Sequence, residues 1–405
     1  MARPGPRFVV CACDDHARVV ASDAGHAVDF EPNETQRMVR DTARTFAARV
    51  LRPRAAEFER NQKIPLEVLR EMAALGLMGV NLPGESGGAE AGVVSYSLAM
   101  TEIASACAST AVTMAVTNMV GEVIQRFGTS AQRARFIPRL TSGELPAGAF
   151  ALSEPEAGSD PGGMRTTATL ENGRWILRGA KQWITSGDIA GVFVVWARTG
   201  GPGTAGISTF LVEGGTPGLR VGHHEDKMGL RASSTVPLVF DECAVTEDAL
   251  LGELHGGFRI AMMALDGGRI GIASQSIGIA RAALEESVTY ARDREQFGKP
   301  IAEFQAIQWM IADSRVELDA ARWMTLRAAT LKESGQPFSR EAAMAKLFAS
   351  ERAIAICNRA VQVHGGYGYT RDFSVERHLR DVRVTTIYEG TSQVQRIVIA
   401  RNALR

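Results

Sequence analysis

The sequence has no surplus of charge: its 405 residues carry 45 Lys and Arg against 45 Asp and Glu, a formal net charge of zero. Nucleic acid calls for a basic surplus to neutralise phosphate, and an anionic membrane surface calls for a polybasic handle, so neither partner is expected. Cysteine is scarce, with five in the chain: Cys11, Cys13, Cys107, Cys243 and Cys357. An odd, scattered set is no disulfide framework and suits a reducing compartment. Cys11-Ala-Cys13 with His16 is half a metal site at most, because no second ligand pair stands at a usable spacing. His223-His224 is no better, since neighbours on a strand point to opposite faces; no metal is expected. Walker-A, H-E-x-x-H and G-x-S-x-G patterns are missing.

Long apolar runs are missing too, with one near-exception. Residues 103–121 carry no charge over 19 positions, close to a span length. Six of those positions are Ser, Thr or Asn, and five more are Ala, which is too weak for a lipid-facing helix. A buried helix packed through small residues is expected there, with no membrane insertion. Residues 1–28 mix Arg3, Arg7 and Arg18 with Asp14, Asp15 and Asp23 and hold no apolar block long enough for a signal peptide. They are expected to be a leader.

What is present is a chain with 45% hydrophobic and 22% charged residues, ordinary for globular proteins and long enough for two to three domains of about 150 residues. Three blocks follow the leader. Residues 29–147 are helical in pattern: Pro32-Asn33-Glu34 is a helix start, Phe46, Val50 and Phe58 share a face, PLEVLREMAALG runs from Pro65 to Gly76, and SAQRARFIPRL closes the block. Residues 148–250 change character. TTATLE and RWILRG flank the hairpin signal Asn172-Gly173, and VFVVWAR, ISTFLVE and TVPLVFDE are further strands of a compact antiparallel sheet. Residues 251–405 are helical again, with Leu347, Ser350, Ile354, Cys357 and Val361 at helical spacing on an expected buried face.

Gly201-Pro-Gly-Thr-Ala-Gly206 fits G-x-G-x-x-G, but a strand follows it instead of a helix, so it is a hairpin loop and not a dinucleotide site. Three segments are richer in chemistry. FALSEPEAGSD (150–160) offers hydroxyls, acids and glycine in a loop suited to a polar or phosphorylated ligand. Gln362-Val363-His364-Gly365-Gly366-Tyr367-Gly368-Tyr369 has glycines that permit close backbone approach. Ile387-Tyr388-Glu389-Gly390-Thr391-Ser392 looks like a helix N-cap preceded by an acid. On these residues alone the chain is a soluble enzyme with a loop-built ligand site, and nothing in composition or periodicity names the ligand.

At these segments the chain resembles the acyl-CoA dehydrogenase family over about residues 30–405, most closely its short-chain (butyryl-type) members. ALSEPEAGSD keeps Ser153, Glu154, Gly158, Ser159 and Asp160 at the family spacing; Gln362, Gly365, Gly366, Gly368, Tyr369, Asp372, Arg377 and Asp381 fit a second signature; IYEGTSQVQR, DREQFGKPI and LDGGRIGIASQ are further blocks. The resemblance implies an N-terminal helical domain, a middle antiparallel β-domain and a C-terminal four-helix bundle. It implies non-covalent FAD, a homotetramer, and conversion of acyl-CoA, short straight or 2-methyl-branched, to trans-2-enoyl-CoA. It also implies electron-transferring flavoprotein as acceptor and a cytoplasmic location, or the mitochondrial matrix in a eukaryote. Glu389 matches the family base that takes the α-proton. Relatives that carry the base elsewhere use the position of Gly268 in Leu265-Asp266-Gly267-Gly268-Arg269, which here has no side chain.

FAD contacts map onto Phe150, Leu152, Ser153, Gly158, Ser159, Trp183, Ile184, Thr185, Gln362, Val363, His364, Gly365, Gly366, Thr391, Ser392 and Gln393. Arg294, Phe297 and Gln305 complete that set, Arg294 and Gln305 reaching FAD from a neighbouring subunit. Substrate contacts map onto Ser159, Asp266, Arg269, Tyr388 and Gly390. His364, where relatives have an apolar residue, and Gly267 depart from the pattern. The same fold also serves acyl-CoA oxidases, which use oxygen and are usually longer, and DNA-associated regulatory flavoproteins, against which the neutral charge weighs.

Overall fold

A computed structural model describes residues 31–404. The expected leader and the Cys11–Cys13–His16 cluster lie outside them. The first helix, α1 (Glu34–Phe46), starts at Asn33, whose side chain accepts from the Gln36 N–H while the Gln36 side chain accepts from the Asn33 N–H, both at 2.9 Å. This reciprocal cap satisfies two amides that would otherwise lack partners. A π turn at Ala47–Leu51 leads into α2 (Arg52–Asn61), and α3 (Leu66–Ala74) begins after Pro65 and ends before the left-handed Gly76. The uncharged stretch at 103–121 is buried as expected but is not one helix. Cys107 is extended and divides it into α4 (Gly92–Ala106) and α5 (Ala108–Phe127). Among the described residues no helix is long and apolar enough to cross a membrane. The block closes with α6 (Ser130–Thr141), capped at Thr129.

Eight strands follow: β1 (Ala147–Ala151), β2 (Thr167–Glu171), β3 (Arg174–Thr185), β4 (Ala190–Arg198), β5 (Ile207–Glu213), β6 (Leu219–Val221), β7 (Thr235–Thr246) and β8 (Leu250–Leu251). Their order is β6-β7-β3-β2-β4-β5-β8, and β1 joins on β4. The sheet is mainly antiparallel, but β1 runs parallel to β4. Its sequence, AGAFA, lacks the β-branched residues that mark strands because it packs under α5. A Cβ on Gly148 would stand 2.7 Å from Val120, and the Gly148 N–H donates to Thr117 Oγ1. Asn172 and Gly173 both take positive φ in the β2–β3 hairpin. The Gly201–Gly206 run is the β4–β5 connection, with the Arg198 guanidinium donating to the Gly201 and Gly203 carbonyls.

The C-terminal helices are α7 (Gly257–Asp293), α8 (Gln305–Glu333), α9 (Ser339–His364), α10 (Val375–Val382) and α11 (Ser392–Ala403). At 37 residues α7 is about 55 Å long. The buried face of α9 is built mainly of Ala342, Ala345, Ala349, Ala353, Ile356 and Ala360. Of the face expected inside, Ser350 and Cys357 are fully buried, while Leu347, Ile354 and Val361 are only half-buried, because small residues allow α7 and α8 to approach closely and the larger ones flank the seam. The three blocks meet at α10. Asp381 there accepts from the Leu230 N–H of the β6–β7 loop at 2.6 Å, while Arg380 pairs with Glu59 of α2 and Glu376 of α10. The fold is thus an N-terminal helical domain, a middle sheet domain and a C-terminal helical bundle.

Candidate active site

Glu389 lies between α10 and α11 in a left-handed conformation, φ 53°, and Gly390 follows at φ 84°. Non-glycine residues seldom adopt this geometry, so the surroundings must hold it. Lys346 of α9, fully buried, donates to the Gly390 carbonyl at 2.7 Å. Gln395 Nε2 donates to the Glu389 and Gly390 carbonyls at 3.1 and 2.9 Å, and the Tyr388 hydroxyl bonds Gln275, itself buried and held to the Ala108 carbonyl. A Cβ on Gly390 would come 2.7 Å from Gln395 Nε2, so the latch requires glycine there. Thr391 caps α11, accepting from the Val394 N–H at 3.2 Å.

This backbone delivers the Glu389 carboxylate to α7 at Gly268. A Cβ on Gly268 would stand 2.5 Å from Glu389 Oε2 and 3.3 Å from Met119 Sδ of α5. Gly268 therefore makes room for the carboxylate. Oε2 is shut off from solvent and has no hydrogen-bond partner. Burial pushes the carboxyl up to about 7, against the opposing pull of the Lys346 and Arg269 charges. Burial likewise pushes Lys346 down to about 8, opposed by the Glu389 charge. Arg269 is buried and pairs with Asp266 one turn before it, leaving its Nε without a partner. Ser392 Oγ and Gln395 Oε1 are also buried and unpartnered. Buried polar atoms without partners are few in folded proteins; here four belong to Arg269, Glu389, Ser392 and Gln395.

The other expected residues fall in two groups. The first borders α5 near Glu389. The Gln182 N–H donates to the Ser153 carbonyl at 2.9 Å, which ties the 153–160 loop to β3, and Ser186 at the end of β3 touches Thr113 of α5. The β3–β7 register shifts between Lys181 and Ile184. In that bulge Trp183 takes φ 65° and is 60% exposed, its indole standing clear of the sheet. Gly158 and Ser159 form an open rim, Thr185 is half-buried, and Gln393 is exposed. Phe150 packs on Trp196 with ring centres 4.3 Å apart. Leu152 and Ile184 bury their side chains, which leaves the backbone as what they offer a ligand, while Ser392 buries a hydroxyl that has no partner.

The second group sits at the far end of the bundle. Arg294 follows α7, 26 residues beyond Gly268, or about 39 Å along the axis. Its guanidinium lies over the Tyr367 ring, while Phe297, 94% exposed, touches Phe304 beside Gln305. Gln362, Gly365 and Gly366 are exposed at the end of α9; Val363 and His364 are buried. The His364 ring stacks on Tyr290 and bonds the Ala360 carbonyl through Nδ1. Within one chain the two groups do not converge.

Three residues that hold the Tyr388–Gly390 segment were missed by reading the sequence: Lys346, Gln275 and Gln395. Lys346 left a signal, a lone cation within the alanine face of AAMAKLFAS; Gln275 and Gln395 left none. The first signature also divides unexpectedly. Glu154 accepts from the Arg165 and Thr166 N–H groups and from Lys181 Nζ at 2.6, 3.0 and 2.8 Å. Burial would raise its carboxyl, but the Lys181 charge and these donors hold it below the usual carboxylate range. It pins the loop.

Fold and site together define a three-domain, helix–sheet–helix protein with a buried, unpartnered carboxylate between its C-terminal helices. Family models agree along most of its length: "Acyl-CoA dehydrogenase, N-terminal domain" matches residues 33–144, the "middle domain" 149–243 and the "C-terminal domain" 255–404. The chain is 48% identical over 375 residues to the mitochondrial short-chain specific acyl-CoA dehydrogenase of Bos taurus, covering 92% of this chain and 90% of that one. Butyryl-CoA dehydrogenase from Megasphaera elsdenii superposes with a TM-score of 0.91 at 41% identity, over 93% of this chain and 100% of that one. A chain in the structure of the electron transferring flavoprotein of Acidaminococcus fermentans superposes with a TM-score of 0.92 at 43% identity, over 93% and 100%. The protein belongs to the acyl-CoA dehydrogenase family.

Proposed function

We propose that the chain is an FAD-dependent dehydrogenase of short-chain acyl-CoA thioesters, straight or 2-methyl-branched, forming trans-2-enoyl-CoA. The observation that carries this reading is the Glu389 carboxylate: buried, unpartnered at Oε2, and raised to about 7. A base near neutrality both accepts a proton readily and stays ionised at working pH. Glu389 Oε2 takes the α-proton of the thioester. The Glu389 N–H makes no hydrogen bond among the described residues and is free to donate to the thioester carbonyl, which makes that proton acidic. Lys346 and Arg269 keep the ionised carboxylate accessible. Shielding of Oε2 from solvent keeps water from competing for the proton.

FAD, when bound, supplies the acceptor for the β-hydrogen, which leaves as hydride to N5. The chain fits such a group. Trp183 offers a free indole face, Ser153, Gly158, Ser159 and Thr185 an open polar rim, and Thr391–Gln393 the start of a helix. Arg294, Phe297, Gln305 and Gln362–Gly366, about 39 Å away along α7, serve the cofactor of a neighbouring copy, in keeping with a homotetramer. Ser159, Asp266, Arg269 and Gly390 hold the acyl-CoA, and Tyr388, tied to Gln275, positions the base. The likeness to a chain of the A. fermentans structure supports electron-transferring flavoprotein as acceptor, and a cytoplasmic or matrix location goes with that reading.

The test is anaerobic addition of butyryl-CoA to the FAD-loaded protein. The wild type bleaches; Glu389→Gln keeps its flavin spectrum and does not. Bleaching of Glu389→Gln at the wild-type rate refutes the base, and rapid oxygen-consuming turnover makes the chain an oxidase.

A further inference from the structure

Lys181, in β3, is fully buried, which lysine seldom is without a partner. Its Nζ donates to Glu154 Oε1 at 2.8 Å and to the Leu152 carbonyl at 3.1 Å, and Met164 Sδ lies 4.0 Å away. Glu154 is itself buried and also accepts from the Arg165 and Thr166 N–H groups. One ammonium therefore joins three segments: the chain leaving β1, the loop that follows, and the approach to β2. The backbone beside it adds a further tie. Gln182, the next residue, donates its N–H to the Ser153 carbonyl at 2.9 Å. The β3–β7 register then shifts between Lys181 and Ile184, where Trp183 turns out of the sheet at φ 65°.

The residues mapped to FAD on this side of the sheet ride on these ties. Ser153 lies between the two acceptors of Lys181, Gly158 and Ser159 lie in the same loop, and Trp183 and Thr185 follow Lys181 along β3. A buried ion pair is weak evidence for stability, since apolar residues of similar volume often serve as well. What this one supplies is a fixed spacing between two edges. Resting on the reading of FAD as the cofactor, we propose that Lys181 is a positioning residue for that cofactor: its charged ammonium, through Glu154 and the Leu152 carbonyl, holds the 153–160 loop in register with Trp183–Thr185, and FAD binds to the chain in that form. Among the described residues Glu154 supplies the one charge that acts on Lys181. Arg165 pairs with Glu156 at the surface, and the residue opposite Lys181 on β7 is Leu238. Burial pushes Lys181 down to about 8, against the pull of Glu154. The ammonium is thus present below 8 and lost as pH rises through it, which leaves the Glu154 carboxylate buried without its counter-charge.

The test is FAD retention against pH, read as the flavin fluorescence released when the FAD-loaded protein is diluted at pH 7, 8 and 9. When one form of a protein binds, the apparent Kd scales inversely with the fraction in that form. With Lys181 half charged at about 8, the wild type is expected to lose about tenfold in affinity between pH 7 and 9. Lys181→Met is expected to bind FAD about tenfold more weakly than the wild type at pH 7 and to show no such fall. Glu154→Gln keeps an acceptor for the Arg165 and Thr166 N–H groups but removes the charge that favours the ammonium, so its fall should begin at lower pH. A pair that only stabilises the fold would not move that midpoint, and this variant serves as the readout if Lys181→Met fails to fold. A wild-type Kd that is level from pH 7 to 9, wild-type affinity or a persisting fall in folded Lys181→Met, or an unmoved midpoint in Glu154→Gln overturns the role of Lys181 and leaves the cofactor reading standing. Wild-type protein that holds no FAD at any pH overturns the cofactor reading, and the role of Lys181 with it.

Discussion

The raised affinity of Glu389 for its proton has a consequence for stability that is independent of turnover. The carboxyl moves from 4.5 to about 7 on folding. At about 1.4 kcal/mol per tenfold, that difference is worth about 3 kcal/mol. The folded chain keeps the proton up to about pH 7, whereas the unfolded chain releases it near 4.5, so the contribution is fully present below 4.5 and is lost as pH rises through 7. Gln has the shape of the protonated acid and no titration. Glu389→Gln should therefore differ from the wild type by less than about 1 kcal/mol at pH 5 and be more stable by about 3 kcal/mol at pH 7.5. Burial pushes Lys346 down to about 8, so its own loss of a proton sets the upper end of the useful range. Guanidinium unfolding of the two proteins in parallel, at half-unit steps from pH 5 to 7.5, reads the difference. An offset between the two curves that does not change with pH would refute a buried, raised carboxyl at this position.

Three further outcomes are expected. Lys346→Met removes a cation that favours ionised Glu389 and should shift the pH profile of kcat/KM for butyryl-CoA upward by about one unit or more; an unmoved profile would mean that Lys346 only latches the Gly390 carbonyl. Gly268→Ala puts a methyl group where Oε2 now has room, and should slow flavin reduction by about 100-fold with flavin content retained. An unaffected rate would show that the carboxylate works from a different position. Asp381→Ala strands the Leu230 N–H at the junction of the three domains and should cost about 1–3 kcal/mol in denaturant unfolding, with Asp381→Asn costing less because an acceptor remains.

The larger architecture was legible because its signals are local. Asn33 and Gly76 mark helix ends by side-chain capping or a positive φ, and Asn172-Gly173 marks a hairpin by its positive φ. What failed depended on packing between distant segments. β1 reads as small residues because α5 lies directly on it, and α9 buries alanines where larger apolar residues were expected because α7 and α8 press close. The break at Cys107 has neither Gly nor Pro to announce it. In the candidate site, Glu389 and the vacant side chain at Gly268 were legible as a motif, but their contact was not. The latch of Lys346, Gln275 and Gln395 joins three helices and leaves almost no trace in any one of them.

Two glutamates show how far residue type falls short of role. Glu154 and Glu389 both stand in segments rich in glycine and hydroxyls, and burial raises the cost of charge on each. Glu154 receives two backbone N–H groups and a lysine directly, so its charge is satisfied and its carboxyl is held low. Glu389 has cations nearby, yet none donates to Oε2. Lys346 spends its short contact on the Gly390 carbonyl, and Arg269 spends its own on Asp266. Had Lys346 paired with Glu389 directly, the carboxylate would be held low like that of Glu154 and would be a poor base at neutral pH. The backbone latch thus does two things at once: it orients Glu389 and directs the Lys346 ammonium to the Gly390 carbonyl and away from Oε2.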